Sequence, residues 1–220
     1  MTLANAGPEV VLRRILLMFA SLLLTLPGVC LAQSAPAIGE GAVFLVAHPA
    51  FRDLDYRQSV LIVTPMPNGG HVGVIVNRPT RRSLTSLFPE HEPSKKVADP
   101  VFYGGPFSRG ALVALVKTEA TPGEGSVPVM QNLFLSFRAN IIDKVIEKTP
   151  NDARYYVGYV GWRPGELKSE IDRGLWSVHS ANLDAVFRKD TDGLWEELIV
   201  QSRRIQARAP RLPTSYAALE

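Results

Sequence analysis

The densest local set of groups able to move protons is His48-Pro49 followed by Asp53 and Asp55. A carboxylate beside an imidazole orients the ring as a general base, so His48 and Asp53 are the candidate pair for a hydrolase-like reaction. The plainer reading is a strand-to-loop exit whose aspartates hold the turn. Asn77-Arg78-Pro79 is a second set, at the end of another strand-like run. Its amide and guanidinium offer donors to an anion, and a strand stopped by proline accounts for it equally. Gly104-Gly105-Pro106 is the third: glycine lets backbone N–H groups approach a ligand closely, and otherwise marks a tight turn. The candidate binding surface is therefore Asn77, Arg78, Gly104, Gly105, His48 and Asp53. The Asn77 and Gly104 sets are expected side by side, because each ends or begins a strand of one sheet. A free, exposed Arg78 there would serve binding and matter little to folding; an Arg78 buried in an ion pair would serve the fold instead.

Other catalytic patterns are missing from the sequence. There is no G-x-S-x-G elbow, no G-x-x-x-x-G-K-[ST] phosphate loop and no H-E-x-x-H. The pair His91-Glu92 runs into Pro93, which breaks the helix that zinc geometry would need. His48, His71, His91 and His179 are far apart in sequence and read as solvated or core residues. No metal and no cofactor are expected. Trp162, Trp176 and Trp195 read as packing anchors first and as an aromatic binding surface second.

The N-terminus points to export. Arg13 and Arg14 precede an apolar run from Ile15 to Leu26, ended by Pro27-Gly28, which is the order of a secretory signal. The run is shorter than the roughly 20 residues that span a bilayer. Cys30 and Ala32 occupy the small-residue places before a cleavage point, so cleavage after Ala32 is expected; an uncleaved inner-membrane anchor is the alternative. Removing residues 1–32 takes away Arg13, Arg14 and Glu9 and lowers the formal charge from +3 to +2. It also removes the single cysteine, Cys30, so no disulfide or thiolate remains. What is left suits one domain, large enough to bury roughly 70% of its unfolded surface without cross-links.

The elements that must position the candidate residues follow from the same reading. Gln33 to about residue 40 is a spacer rich in Ala, Pro, Gly and Ser, and the domain is expected over residues 41–202. Val43–Ala47, Ser59–Thr64 and His71–Asn77 read as strands, the last two as a hairpin. Val74, Ile75 and Val76 run consecutively, so that strand is expected to be covered on both faces. Ser83 is placed to cap a short helix through Leu84, Leu87 and Phe88, before a charged loop from Glu90 to Asp99. Val101–Tyr103, Ala111–Val116, Leu133–Leu135 and Tyr155–Val160 are further strands, and Thr121 to Pro128 reads as loop. Phe137, Ile141, Ile142, Val145 and Ile146 have helical spacing. Pro164 and Gly174 bracket another helix as first residue and left-handed cap. Two helical stretches through Val186 and Leu198 precede a basic, Pro-containing tail from Arg203 to Glu220. The order indicates an α+β domain with a mostly antiparallel or mixed sheet and packed helices.

Several short blocks in order resemble the YqgE/AlgH family: Phe44–Pro49, Asp53, Ser59-Val60, Gly73–Pro79, Gly104–Pro106 and Gly158–Leu167, with Trp176, Phe187 and Trp195. The resemblance covers roughly residues 41 to 200. It implies a compact α+β fold on a sheet with packed helices, and it implies no known reaction. His48 stands where the family commonly has Met, and Glu166 and Lys168 stand where its Gly-Gln-Leu-acid block has Gln and an acid.

These readings converge on a periplasmic or secreted, non-enzymatic binding or regulatory module whose partner is an unidentified protein. A cytosolic transcriptional regulator, the label some family members carry, is the rival. Export and a charge of +2 oppose it, because non-specific DNA affinity grows with the number of phosphates neutralised. Membrane contact is expected only through the N-terminal segment before cleavage.

Overall fold

The computed structural model describes residue 38 and residues 41–208. The expected signal segment 1–32, most of the spacer and residues 209–220 of the tail lie outside them. The β-branched runs form strands as their composition dictates: β1 (Val43–Ala47), β2 (Val60–Pro65) and β3 (His71–Ile75) pair antiparallel in succession. The β2–β3 hairpin turns at Met66–Gly70, where the Met66 amide donates to the Gly70 carbonyl at 2.8 Å. Val74, Ile75 and Val76 are all fully buried, because that strand has side chains packed on both faces.

β4 (Pro79–Ser83), β5 (Pro100–Tyr103), β6 (Phe107–Lys117), β7 (Val127–Met130), β8 (Leu133–Ser136), β9 (Ala153–Trp162) and β10 (Trp176–Ser180) complete one ten-stranded sheet. Its main path runs β10-β1-β2-β3-β9-β6-β8-β7. β5 adds to β9 as the parallel pair, with β4 antiparallel beyond it. The expectation of a mixed, largely antiparallel sheet holds. β9 is the strand both halves share: its first half pairs with β5 and β6, and Val160–Trp162 pair with β3. Gly158, at φ +74°, sits at the changeover.

The sheet curls until the Thr64 hydroxyl on β2 donates to the Pro128 carbonyl on β7 at 3.2 Å. Phe44, Ile62 and Val74 from one half thereby meet Leu115, Leu135 and Tyr156 from the other in a central core. Two outer faces are covered by helices. α1 (Leu84–Leu87) and α2 (Ala139–Lys148) lie on β6 and β9, burying Leu84, Ile142, Val145 and Ile146; each such side chain stabilises the fold by roughly 1.5–3 kcal/mol. α3 (Glu166–Asp172) buries Leu167 against β1–β3. The short α4 (Leu183–Val186) and long α5 (Leu194–Arg208) close the central core with Val186 and Leu194.

The local signals behave as their chemistry requires. The Ser83 hydroxyl accepts from the Ser86 amide at 3.1 Å and caps α1. Gly174, at φ +73°, ends α3 with its amide on the Ile171 carbonyl and that of Leu175 on Glu170, a paired closure that needs a left-handed residue. Several features differ from expectation. Pro164 is not the first residue of α3, which starts at Glu166 behind Gly165 in the left-handed region at φ +83°, and β4 and β10 are strands where the sequence reading has none. β7 occupies the C-terminal part of the expected Thr121–Pro128 loop, a 3-10 turn (Glu92–Lys96) interrupts the charged loop, and α2 starts at Ala139, leaving Phe137 outside it. α5 runs to Arg208, so Arg203 and Arg204 stand on a helix and not in a tail; Arg, Gln and Ala favour helix and no breaker intervenes. Among the described residues no helix is long and apolar enough to cross a membrane.

Candidate functional site

The expected neighbours do meet. The Gly104 carbonyl accepts from the Ile75 amide at 2.9 Å and the Tyr103 amide donates to the Arg78 carbonyl at 2.8 Å, so the strand ends before Pro79 and before Pro106 lie together. Their side chains, however, face inward to the fold. The Asn77 amide holds the start of β2, accepting from the Val60 amide at 2.8 Å and donating to the Gln58 carbonyl at 2.9 Å. The half-buried Arg78 donates to the carbonyls of Asp55 at 2.7 Å, Arg57 at 2.6 Å and Leu54 at 3.3 Å. Among the described residues Arg78 is in no ion pair; it gathers the loop between β1 and β2, and its burial pulls its pKa down. Gly104 and Gly105 lie backbone-to-backbone on β9 at Gly158 and Tyr159, where an added Cβ would strike a carbonyl oxygen. That close approach is what the absence of a side chain allows at both glycines.

His48 and Asp53 each serve a local turn. The His48 Nδ1 accepts from the Ala50 amide at 3.2 Å, and the Asp53 carboxylate accepts from the Asp55 amide at 2.7 Å. Among the described residues no hydrogen bond joins the two, so the orientation a general base needs is not formed. No three of the described His, Cys, Asp and Glu residues are grouped as metal ligands. His71 is packed with both ring nitrogens lacking partners, and His179 Nε2 meets the Ser202 hydroxyl at 2.7 Å between β10 and α5. Burial lowers the pKa of both rings.

Two clusters escaped sequence reasoning. Arg154 on β9 is wholly buried, with its guanidinium 4.4 Å from the Phe102 ring, donating to Asp99 at 3.1 Å and to the carbonyls of Val186 and Arg188. Glu170 on α3 accepts from both Trp162 at 2.9 Å and Trp176 at 2.8 Å, which makes those tryptophans the packing anchors expected of them. No sequence signal marks a strand arginine as buried, since its partners come from distant loops.

Beside the Arg78 clamp the character changes. Asp55 accepts from the Tyr103 hydroxyl at 2.7 Å and from Arg109 through both oxygens at 2.9 Å. Burial, then the bond to Asp55, pushes the Tyr103 phenol up to about 12. Arg109 stays largely exposed and forms one wall of an open cavity of about 440 Å³ with Arg82 and Thr80 on the polar side and Leu87, Val101 and Val157 on the apolar side. A second cavity of about 490 Å³, lined chiefly by Ala111, Phe137, Ile142 and Ile146, adjoins it, and both share Phe88 and Leu112. β6 makes room for them: its register on β9 slips between Phe107 and Leu112, turning Ser108–Ala111 outward. Phe88 is 42% exposed.

An AlgH-like family model, whose members are defined by a domain of unknown function, matches residues 44–205. The chain belongs to the AlgH-like family. A protein of the UPF0301 group from Thermobifida fusca is 33% identical over 170 residues, 70% of this chain and 83% of its own length. One from Shigella boydii, called YqgE, is 27% identical over 70% of this chain and 87% of its own. The solution structure of the AlgH protein from Pseudomonas aeruginosa superposes with a TM-score of 0.60 at 20% identity, covering 86% of this chain and 99% of that one. A crystal structure from Corynebacterium diphtheriae gives 0.59 at 21%, covering 76% and 88%. At such identities the structures establish the family fold, and the family itself is of unknown biochemical function.

Proposed function

We propose that this AlgH-like chain is a non-enzymatic binding or regulatory module, working in the periplasm or as a secreted protein and recognising a partner protein through an exposed face. The observation that carries the reading is the double cavity around Phe88 and Leu112. Apolar surface there stays open to solvent beside Arg82, and open apolar surface rimmed by polar groups is characteristic of recognition sites. The residues that looked chemical in sequence are engaged in turns and strand ends, which leaves them no evident part in a reaction. The order of Arg13-Arg14, apolar run and small residues supports export.

The test uses the tagged chain recovered from envelope fractions, alongside an Ala111→Trp variant in which an exposed groove residue is enlarged. A specific partner held by the unaltered chain and released by the variant is the expected outcome. Turnover in a broad activity screen with no specific partner would overturn the reading. N-terminal sequencing should find Gln33 first; a full-length cytosolic protein with salt-dependent DNA binding would favour the regulator instead.

A further inference from the structure

Resting on that reading, we infer that the double cavity takes a segment of a partner protein in which a large apolar side chain lies close to an aspartate or glutamate. Charge decides the acidic part. The cavity between β4 and β6 has two arginines in its lining, Arg82 and Arg109, and no carboxylate. Among the described residues Arg109 has one carboxylate partner, Asp55, held through a single terminal nitrogen, NH2, and its other N–H groups make no hydrogen bond. Arg82 has no side-chain hydrogen bond or ion pair among the described residues, and Arg81 beside it is exposed. A carboxylate entering here meets donors arranged to accept it, whereas an ammonium would meet like charge.

Shape decides the apolar part. The second cavity has walls of Phe137, Ile142 and Ile146, with Asp143 and His91 at its polar margin. The two hollows adjoin at Phe88 and Leu112. They suit two side chains of one peptide, the apolar one seated against Ile142 and the acidic one against Arg82. The outward bulge at Ser108–Ala111 turns the edge of β6 away from regular strand pairing, so recognition here is by side chains and not by extension of the sheet.

Phage-displayed random dodecapeptides panned on the purified full chain test this directly. Enriched peptides should carry a large apolar residue within a few positions of Asp or Glu. A synthetic copy should bind about tenfold more weakly to Arg82→Glu and to Ala111→Trp, as expected for loss of a central contact, with thermal midpoints unchanged because both positions are exposed. Enrichment of peptides lacking an acid, or binding indifferent to both variants, overturns the inference. Binding of sodium dodecanoate with no peptide enriched overturns it in favour of a lipid. No enrichment, with an envelope protein captured equally by the unaltered chain and Ala111→Trp, overturns the groove and leaves the binding module standing; no enrichment and no specific partner brings down both.

Discussion

Arg78 just before β4 and Arg82 near its far end stand four residues apart, and they have opposite fates. Arg78 is half-buried and holds three loop carbonyls; Arg82 is exposed and its guanidinium holds nothing among the described residues. The difference is one of distance to unsatisfied backbone. The β1–β2 loop brings the carbonyls of Leu54, Asp55 and Arg57 to Arg78, and a buried or half-buried polar group must find such partners. Arg82 lines an open hollow instead, and its guanidinium makes no hydrogen bond among the described residues. Residue type alone therefore does not mark a recognition site; the donor left over after the fold has been satisfied does.

The strongest way to break the inward-facing region is at its crossing point. Gly158→Val puts a branched side chain at φ +74° and drives its Cβ against the Gly105 carbonyl oxygen, so we expect a loss above about 4 kcal/mol, or no folded protein, in denaturant unfolding. A variant as stable as the parent would show that the β5–β9 crossing is not fixed by glycine. Arg154→Met comes next: it keeps bulk on Phe102 but leaves Asp99 and two carbonyls without their donor, for a cost of about 3 kcal/mol. Arg78→Ala should lower stability by about 2 kcal/mol, since some of its carbonyls can turn to water. An Arg78→Ala protein with unchanged midpoint would place Arg78 with Arg82 and erase the contrast.

Acid sharpens the same comparison more gently. His71 and His179 both have their pKa lowered by burial, so the unfolded chain takes up protons more readily than the folded one. Stability is then full above pH about 6.5 and falls as the pH drops beneath it. His71→Gln with His179→Gln should flatten that slope between pH 7 and 5, and an unchanged slope would assign it to other groups. At the alkaline end the Tyr56 and Tyr103 phenols, pushed up to about 12, give stability that is complete below pH about 10 and lost as pH climbs toward 12. The smallest effect is reserved for Arg82→Glu, which should shift stability by less than about 0.5 kcal/mol. A larger loss would mean that Arg82 is engaged after all.

Much of the fold was legible because its signals are local. β1, β2 and β3 announce themselves by β-branched runs, α3 by its closing glycine, and α2 by four apolar residues at helical spacing. β4 was not legible: Pro-Thr-Arg-Arg-Ser is polar and mostly exposed, and it is a strand only because β5 supplies the hydrogen bonds. β10 is similar, since Trp-Ser-Val-His-Ser declares itself only against β1. In the candidate site, the adjacency of Asn77-Arg78 and Gly104-Gly105 followed from both being strand ends, but their partners did not. The carbonyls that hold Arg78 lie about twenty residues back in a loop without pattern, and the walls of the groove come from β4, α1, β5, β6, α2 and β9. Nothing in a linear window reports a surface assembled from six elements.

One consequence of the shared strand concerns time more than structure. β9 inserts between β3 and β6, and β10 closes beside β1, so the middle of the sheet is contributed by residues 153–162 and one margin by residues 176–180. A growing chain that has reached Pro150 has β1–β3, the β4–β5 pair and β6–β8 but lacks the strand that pairs with all three groups, and pairings this distant in sequence form slowly. The polypeptide therefore stays loose through most of its synthesis and locks only near its end.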